Sequence, residues 1–210
     1  GADLMQGGTG DDLYWAYQAG DTVVELAGEG TDTVQAGIAH TLGANVENLN
    51  LYGSQGTGNE LDNLIWVSQS ETGTTLSGLG GNDTLIGEMR NDVIYGGVGD
   101  DALSGGGGDD TLHGEEGADT LDGSGGLDKL YGGAGDDTLI GGTNQFFASY
   151  DDDILDGGDG IDTVSYAGAY QVGGSSGVTV NLSVTDVQRT GLGEETLVGI
   201  ENLIGLGFND

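Results

Sequence analysis

The chain has 210 residues, 46 of them Gly, none Pro and none Cys, and 36 acidic against 3 basic side chains give it a formal net charge of -33. So few cations cannot neutralise a phosphate backbone, an anionic membrane surface would repel the chain, and disulfides and thiolate metal sites are excluded, which leaves cations as the natural partners. Acidic, Gly-rich composition alone reads as disorder, but the aliphatic residues recur at a fixed period, and no apolar run reaches the length of a membrane-spanning helix.

The chain opens mid-pattern, with Asp3 already at a repeat position, and closes the same way at GLGFND (205–210). It is therefore expected to be a piece of a larger protein. GGTGDDLYW (7–15) and AGEGTDTVQ (27–35) are degenerate nine-residue blocks with Asp12 and Asp32 at the sixth place. GNELDNLIW (58–66) has Asn63 there, an oxygen without a charge. Trp15 and Trp66 are expected in the core or capping the flank coils. VENLNLYG (46–53) resembles IENLIGLG (200–207), which suggests one irregular coil design used twice. Segment 1–77 is thus predicted to be a flank of degenerate β-coils.

From Gly78 seven blocks of nine follow without a gap, from GLGGNDTLI to GGAGDDTLI. The first place is Gly throughout. The sixth is Asp83, Asp92, Asp101, Asp110, Asp119, Asp128 and Asp137, and the eighth is Leu85, Ile94, Leu103, Leu112, Leu121, Leu130 and Leu139. The next block runs to sixteen residues, with an insertion near 143–149 expected to loop out. The register resumes with Asp153 and Leu155, then Asp162 and Val164. Segment 78–165 is read as a regular roll, and 166–210 as a C-terminal flanking coil with the start of a further repeat.

Two demands fit in nine residues. Six must turn the chain, and Gly at the first, second and fourth places allows φ > 0 and close backbone approach. Three form a strand that points one aliphatic inward. With two blocks per coil, Asp83, Asp101, Asp119, Asp137 and Asp162 stack on one edge, and Asp92, Asp110, Asp128 and Asp153 on the other. Carboxylates about 5 Å apart repel unless a cation lies between them. Ca²⁺ does this and also takes up Gly-loop carbonyls. The candidate ligands are those nine aspartates with Asp12 and Asp32, and the turn carbonyls. The turn glycines are Gly78 and Gly80; Gly96, Gly97 and Gly99; Gly105, Gly106 and Gly108; Gly114 and Gly117; Gly123 and Gly126; Gly132, Gly133 and Gly135; and Gly157, Gly158 and Gly160. Adjacent pairs in the two columns give about seven or more ions, and the metal becomes a condition of folding.

The blocks match G-G-x-G-x-D-x-U-x and resemble the RTX, or hemolysin-type, calcium-binding nonapeptide repeat family. The resemblance implies an all-β parallel β-roll or β-helix solenoid stabilised by Ca²⁺. It also implies export through a one-step (type I) secretion machinery to the outside or surface of a Gram-negative bacterium. Family members carry toxins, proteases, lipases, polysaccharide-modifying enzymes or adhesins on such repeats, so the repeats do not identify the parent protein.

Some features depart from the pattern or suggest other roles. GEMRND (87–92) places Glu88 and Arg90 where Gly belongs, so the turn of Asp92 is expected to be distorted; GEEGAD (114–119) keeps Gly117. Ser175 lies in GGSSG (173–177), an esterase-like G-x-S-x-G. Both histidines, His40 and His113, precede it, where that fold needs one afterwards, so no catalytic residues are assigned and the chain is not read as an enzyme. Tyr95, His113 and Tyr131, each 18 residues apart, are expected to stack on one face. The principal reading is a calcium-folded module supporting export and stability of its parent. The alternative is an adhesion module presenting a surface to polysaccharide or the cell envelope.

Overall fold

The computed structural model describes residues 1–142, 152–167, 182, 187–189 and 194–205. Among them there is no helix, and hence none long and apolar enough to cross a membrane. The strands build a solenoid with two faces. One sheet runs in the order Leu13–Ala16, Thr33–Ala36, Asn48–Leu51, Leu64–Val67, Thr84–Ile86, Ala102–Gly107, Thr120–Gly125, Thr138–Ile140, Thr163–Ser165 and Asn202–Ile204, all parallel. The facing sheet runs from His40–Thr41 through Gln55–Thr57, Thr75–Gly80, Val93–Val98, Thr111–Glu116, Lys129–Ala134 and Ile154–Asp159 to Glu194–Val198. Gln188–Arg189 closes it with an antiparallel pair. Leu4–Met5 and Thr22–Val23 form a separate two-stranded ladder at the N-terminal end.

The nine-residue period sets this alternation. Consecutive blocks go to opposite sheets, so the partner of each strand is 18 residues on, as in Leu85↔Leu103↔Leu121↔Leu139 and Ile94↔Leu112↔Leu130. Between Leu130↔Leu155 and Leu139↔Val164 the offset grows to 25 residues, then the same pairing continues. The flank coils share the two sheets but not the period: Thr33 pairs with Asn48, and Leu64 with Thr84.

The eighth-position side chains fill the space between the sheets. Leu76, Leu85, Ile94, Leu112, Leu121, Leu130, Leu139, Leu155 and Val164 are wholly buried. Burying each contributes about 1.5–3 kcal/mol. The flank strands turn in two residues each, such as Tyr14 with Ala16 and Ile65 with Val67. Trp15 therefore does not reach the core as expected: it points outward from between Tyr14 and Ala16, 53% exposed, and stacks on Tyr17. Trp66, flanked by the inward Ile65 and Val67, is likewise half-buried on the outer face.

The glycines divide their work differently from the sequence expectation. The second and fourth places take positive φ, as at Gly97 and Gly99 or Gly133 and Gly135. The first place does not, and Gly is needed there for close approach instead. In the first regular block the fourth place belongs to Gly81 (φ 101°), and Gly80 holds the third without positive φ. Leu79, Glu115 and Ser124 also adopt positive φ at second places, a strained conformation for residues with a Cβ. No residue of 87–92 does, so the turn with Glu88 and Arg90 follows a different path.

Candidate functional site

Most sixth-position aspartates divide their two carboxylate oxygens between two tasks. Oδ1 accepts the backbone N–H of the Asp one coil earlier. On one edge the chain of bonds is Asn63 N–H to Asp83 (2.6 Å), Asp83 to Asp101 (2.7 Å), Asp101 to Asp119 (2.8 Å), Asp119 to Asp137 (2.8 Å) and Asp137 to Asp162 (2.9 Å). On the other it is Thr74 to Asp92 (2.6 Å), Asp92 to Asp110 (2.7 Å), Asp110 to Asp128 (2.9 Å) and Asp128 to Asp153 (2.9 Å). Both columns assemble with the members that the period assigns them.

Oδ2 does the other task. In Asp83, Asp101, Asp110, Asp119, Asp137 and Asp162 it is buried and has no donor. It lies against the first-position glycine of its own block. A Cβ on Gly78 would fall 2.0 Å from Asp83 Oδ2 and 2.6 Å from the carbonyl oxygen of Gly96, one coil on. The same pair of oxygens converges at Gly96 (Asp101 Oδ2 2.3 Å, Gly114 O 2.8 Å), Gly114 (Asp119 Oδ2 2.2 Å, Gly132 O 2.5 Å) and Gly132 (Asp137 Oδ2 2.3 Å, Gly157 O 2.5 Å). At Gly58 the amide oxygen of Asn63 takes the carboxylate's place, 2.2 Å away, with Gly78 O at 2.5 Å. The absent side chain lets a carboxylate oxygen and a carbonyl oxygen of successive turns converge where a Cβ would collide with both. Asp92 differs: its Oδ2 accepts the Glu88 N–H at 3.1 Å.

Burial without a cation is unfavourable for these groups. Desolvation pushes the carboxyls of Asp83 and Asp110 up to about 7, and those of Asp101, Asp119 and Asp137 up to about 6, while the N–H from the preceding coil pulls each back. Hard oxygen donors, unfilled lone pairs and like charge in a column fit a divalent cation that prefers oxygen. The donor set thus suits Ca²⁺.

Other donors of the array carry no signal in a nine-residue period. Glu47 Oε2 accepts the Asp32 N–H at 2.8 Å, and Glu201 Oε2 accepts the Asp162 N–H at 2.9 Å. The two similar segments 46–53 and 200–207 therefore each place a Glu in the aspartate column, a role their shared E-N-L could have signalled. The fifth position also reaches across coils, in the opposite direction: Asn82 Oδ1 accepts from Asp100 N–H (3.0 Å) and Asp100 Oδ1 from Ala118 N–H (2.9 Å).

On the outer face Tyr95, His113 and Tyr131 form the expected ladder, with centroids 4.9 Å apart and rings within 11° of parallel. Burial between the tyrosines lowers the His113 pKa, which favours the neutral imidazole. Ser77 and Asp156 flank the stack in register and end it. Ser175 and the 143–149 insertion lie outside the described residues.

Comparison with known proteins agrees with this geometry. The sequence profile of the RTX calcium-binding nonapeptide repeat matches the chain in four copies, over residues 1–23, 77–112, 113–145 and 142–164, more than half of its length. A stretch of 63 residues, 29% of the chain, is 48% identical to the endo-1,3-1,4-beta-glycanase ExsH of Rhizobium meliloti (strain 1021). The matched stretch spans only 14% of that protein's length.

Proposed function

This chain belongs to the RTX calcium-binding nonapeptide repeat family, and from that premise we propose that it is the calcium-folded module of a larger secreted or surface protein. Calcium binds in the columns of Asp83, Asp101, Asp119, Asp137 and Asp162 and of Asp92, Asp110, Asp128 and Asp153, about seven ions or more, with the turn carbonyls as further ligands. Asp12 and Asp32 extend the first column into the flank. The segment 78–165 is the calcium-dependent roll; 1–77 and 166–210 are its flanks. The observation that carries this reading is the row of buried Oδ2 atoms without donors, each packed against a glycine where a Cβ would collide with it.

The ion does not carry out a reaction in this reading. It neutralises the columns and so permits the coils to close. Intracellular calcium is too scarce to fill such sites, so the chain stays unfolded for export and folds outside, stabilising its parent. The glycanase name belongs to a relative of which this chain matches a small part, and we read the module itself as non-catalytic. The half-buried Tyr95–His113–Tyr131 stack on the outer face supports a second reading, a surface for polysaccharide or the cell envelope, to which it would offer its ring edges and polar groups.

The test is circular dichroism and small-angle scattering of the chain in excess chelator and in millimolar Ca²⁺. The expected result is an expanded chain that gains β-signal and compacts with calcium. Unchanged spectra and dimensions would refute the proposal.

A further inference from the structure

We propose that Glu25, a ligand the nonapeptide pattern does not encode, completes a calcium site with Asp12 and Asp32 at the N-terminal end of the roll, a step that rests on reading the sixth-position aspartates as calcium ligands. Leu4 pairs with Thr22 and Met5 with Val23, and the Val24 N–H donates to the Met5 carbonyl at 3.0 Å. Continuing that register sets Glu25 beside Gly7, at the first place of a turn. In the regular blocks this place is always Gly, because a Cβ there would run into the sixth-position carboxylate. The second coil departs from the rule: Asp21, whose Oδ1 accepts the Asp3 N–H at 3.1 Å as a sixth-position Asp does, and Asp32 are eleven residues apart, whereas the sixth-position residues of regular blocks are nine apart. The two extra residues give the turn room for a side chain.

That side chain is a carboxylate turned inward. Glu25 is 4% exposed, and its Oε1 accepts the Tyr14 hydroxyl and the Gly7 N–H (3.1 Å). Asp32, 1% exposed, takes the Asp12 N–H on Oδ1 at 2.9 Å. Oε2 of Glu25 and Oδ2 of Asp12 and Asp32 are all buried with no donor. Among the described residues this is the one group of three carboxylates that each bring an oxygen within 4.8 Å of the others. Ca²⁺ binds oxygen at about 2.3–2.6 Å, so one ion can touch oxygens up to about 5 Å apart. With no nitrogen or sulfur donor in the set, the hard cation is favoured over zinc or copper. Three buried carboxylates repel one another without it. With it, the separate N-terminal ladder is tied to the first two strands of the main sheet.

Glu25 itself belongs to neither aspartate column, so a test at this residue separates the site from the central columns. Calcium bound per chain is measured by equilibrium dialysis with radiolabelled calcium on the full 210-residue chain and on Glu25→Gln, with amide hydrogen exchange in parallel. Glu25→Gln should lose one ion per chain and the calcium-dependent protection of residues 4–5, 13–16 and 22–23, while residues 84–140 stay protected. An unchanged ion count and unchanged N-terminal protection would overturn the site. Should Glu25→Gln lose central protection as well, Asp12→Asn takes its place with the same one-ion loss expected, and an unchanged count there overturns it equally. A wild-type chain that binds no calcium would overturn the column reading as well; full central uptake with no effect of either variant would overturn this site alone.

Discussion

Asp110 accepts the Asp92 N–H on Oδ1 at 2.7 Å while its Oδ2 is buried with no donor. One carboxylate therefore serves both the stacking of coils and the space offered to an ion. Its loss should remove a hydrogen bond and a ligand together. Because a solenoid coil contacts only its neighbours, the damage should reach the spaces on both sides, toward Asp92 and toward Asp128. Asp110→Ala should raise the calcium midpoint about three- to tenfold, in line with about 0.5–1.5 kcal/mol for a lost hydrogen bond. Excess calcium should restore part of the fold. Circular dichroism across a calcium series checks this, and a midpoint equal to wild type would refute the shared use of the carboxylate.

Leu112 offers the contrasting case. It is wholly buried in register between Ile94 and Leu130, and its side chain carries no oxygen for a cation. Leu112→Ala should cost about 2–5 kcal/mol by opening a void. The lowered Tm should persist at saturating calcium. Melting curves of both variants in low and high calcium separate the two mechanisms; full rescue of Leu112→Ala by calcium would contradict the packing argument.

The regular region was legible because its period is strict. An unbroken repeat of nine fixes which residue turns inward and, with two blocks per coil, which residues meet 18 positions later, so Leu85↔Leu103 and the stacking of Asp83 on Asp101 follow from the sequence, whereas the N–H to Oδ1 bond that links the two aspartates does not. The flank was less legible because its coils vary in length. With Thr33 meeting Asn48 and Leu64 meeting Thr84, no fixed offset exists to reveal that Glu47 stands in the Asp column or that Glu25 faces Asp12. Trp15, expected in the core or capping a flank coil, stands on the outer face because strand alternation turns its neighbours Tyr14 and Ala16 inward. At the first-position glycine the expected φ > 0 is absent while the expected close backbone approach is present, and what the period alone did not reveal is the sixth-position carboxylate that lies there beside the carbonyl of the next coil.

Acidity should act on the chain in two opposing ways. Burial raises the folded-state pKa of Asp83 and Asp110 to about 7, and of Asp101, Asp119 and Asp137 to about 6, above about 3.9 for the unfolded chain. A raised carboxyl pKa means that the folded form binds the proton more tightly. Without calcium, that contribution is present at low pH and lost as pH rises through about 6 to 7. In chelator, residual β-structure should therefore be greater at about pH 5 than at about pH 8. With calcium, protons compete for the same oxygens, so the calcium midpoint should rise as pH falls over that range. Titrations at several pH values check both signs, and a midpoint that fell on acidification would contradict the assignment of these aspartates as ligands.

The closest test of the converging oxygens is to push them apart. A Cβ on Gly114 would lie 2.2 Å from Asp119 Oδ2 and 2.5 Å from Gly132 O, between the two atoms offered to an ion. Gly107 lies in the preceding turn, without positive φ, and a Cβ there meets nothing nearer than 3.9 Å. Both changes add one methyl group to a glycine turn, and both remove similar backbone freedom from the unfolded chain. Gly107→Ala should therefore stay within about 0.5 kcal/mol of wild type. Gly114→Ala must displace Asp119 Oδ2, which breaks the pairing of carboxylate and carbonyl oxygens between that turn and the next. It should lose one bound calcium per chain and raise the midpoint of the rest, since a solenoid propagates damage to its neighbours. Calcium stoichiometry and melting curves for the two variants give the comparison. Equal behaviour of the two alanines would mean that the space beside the first-position glycine holds no ion.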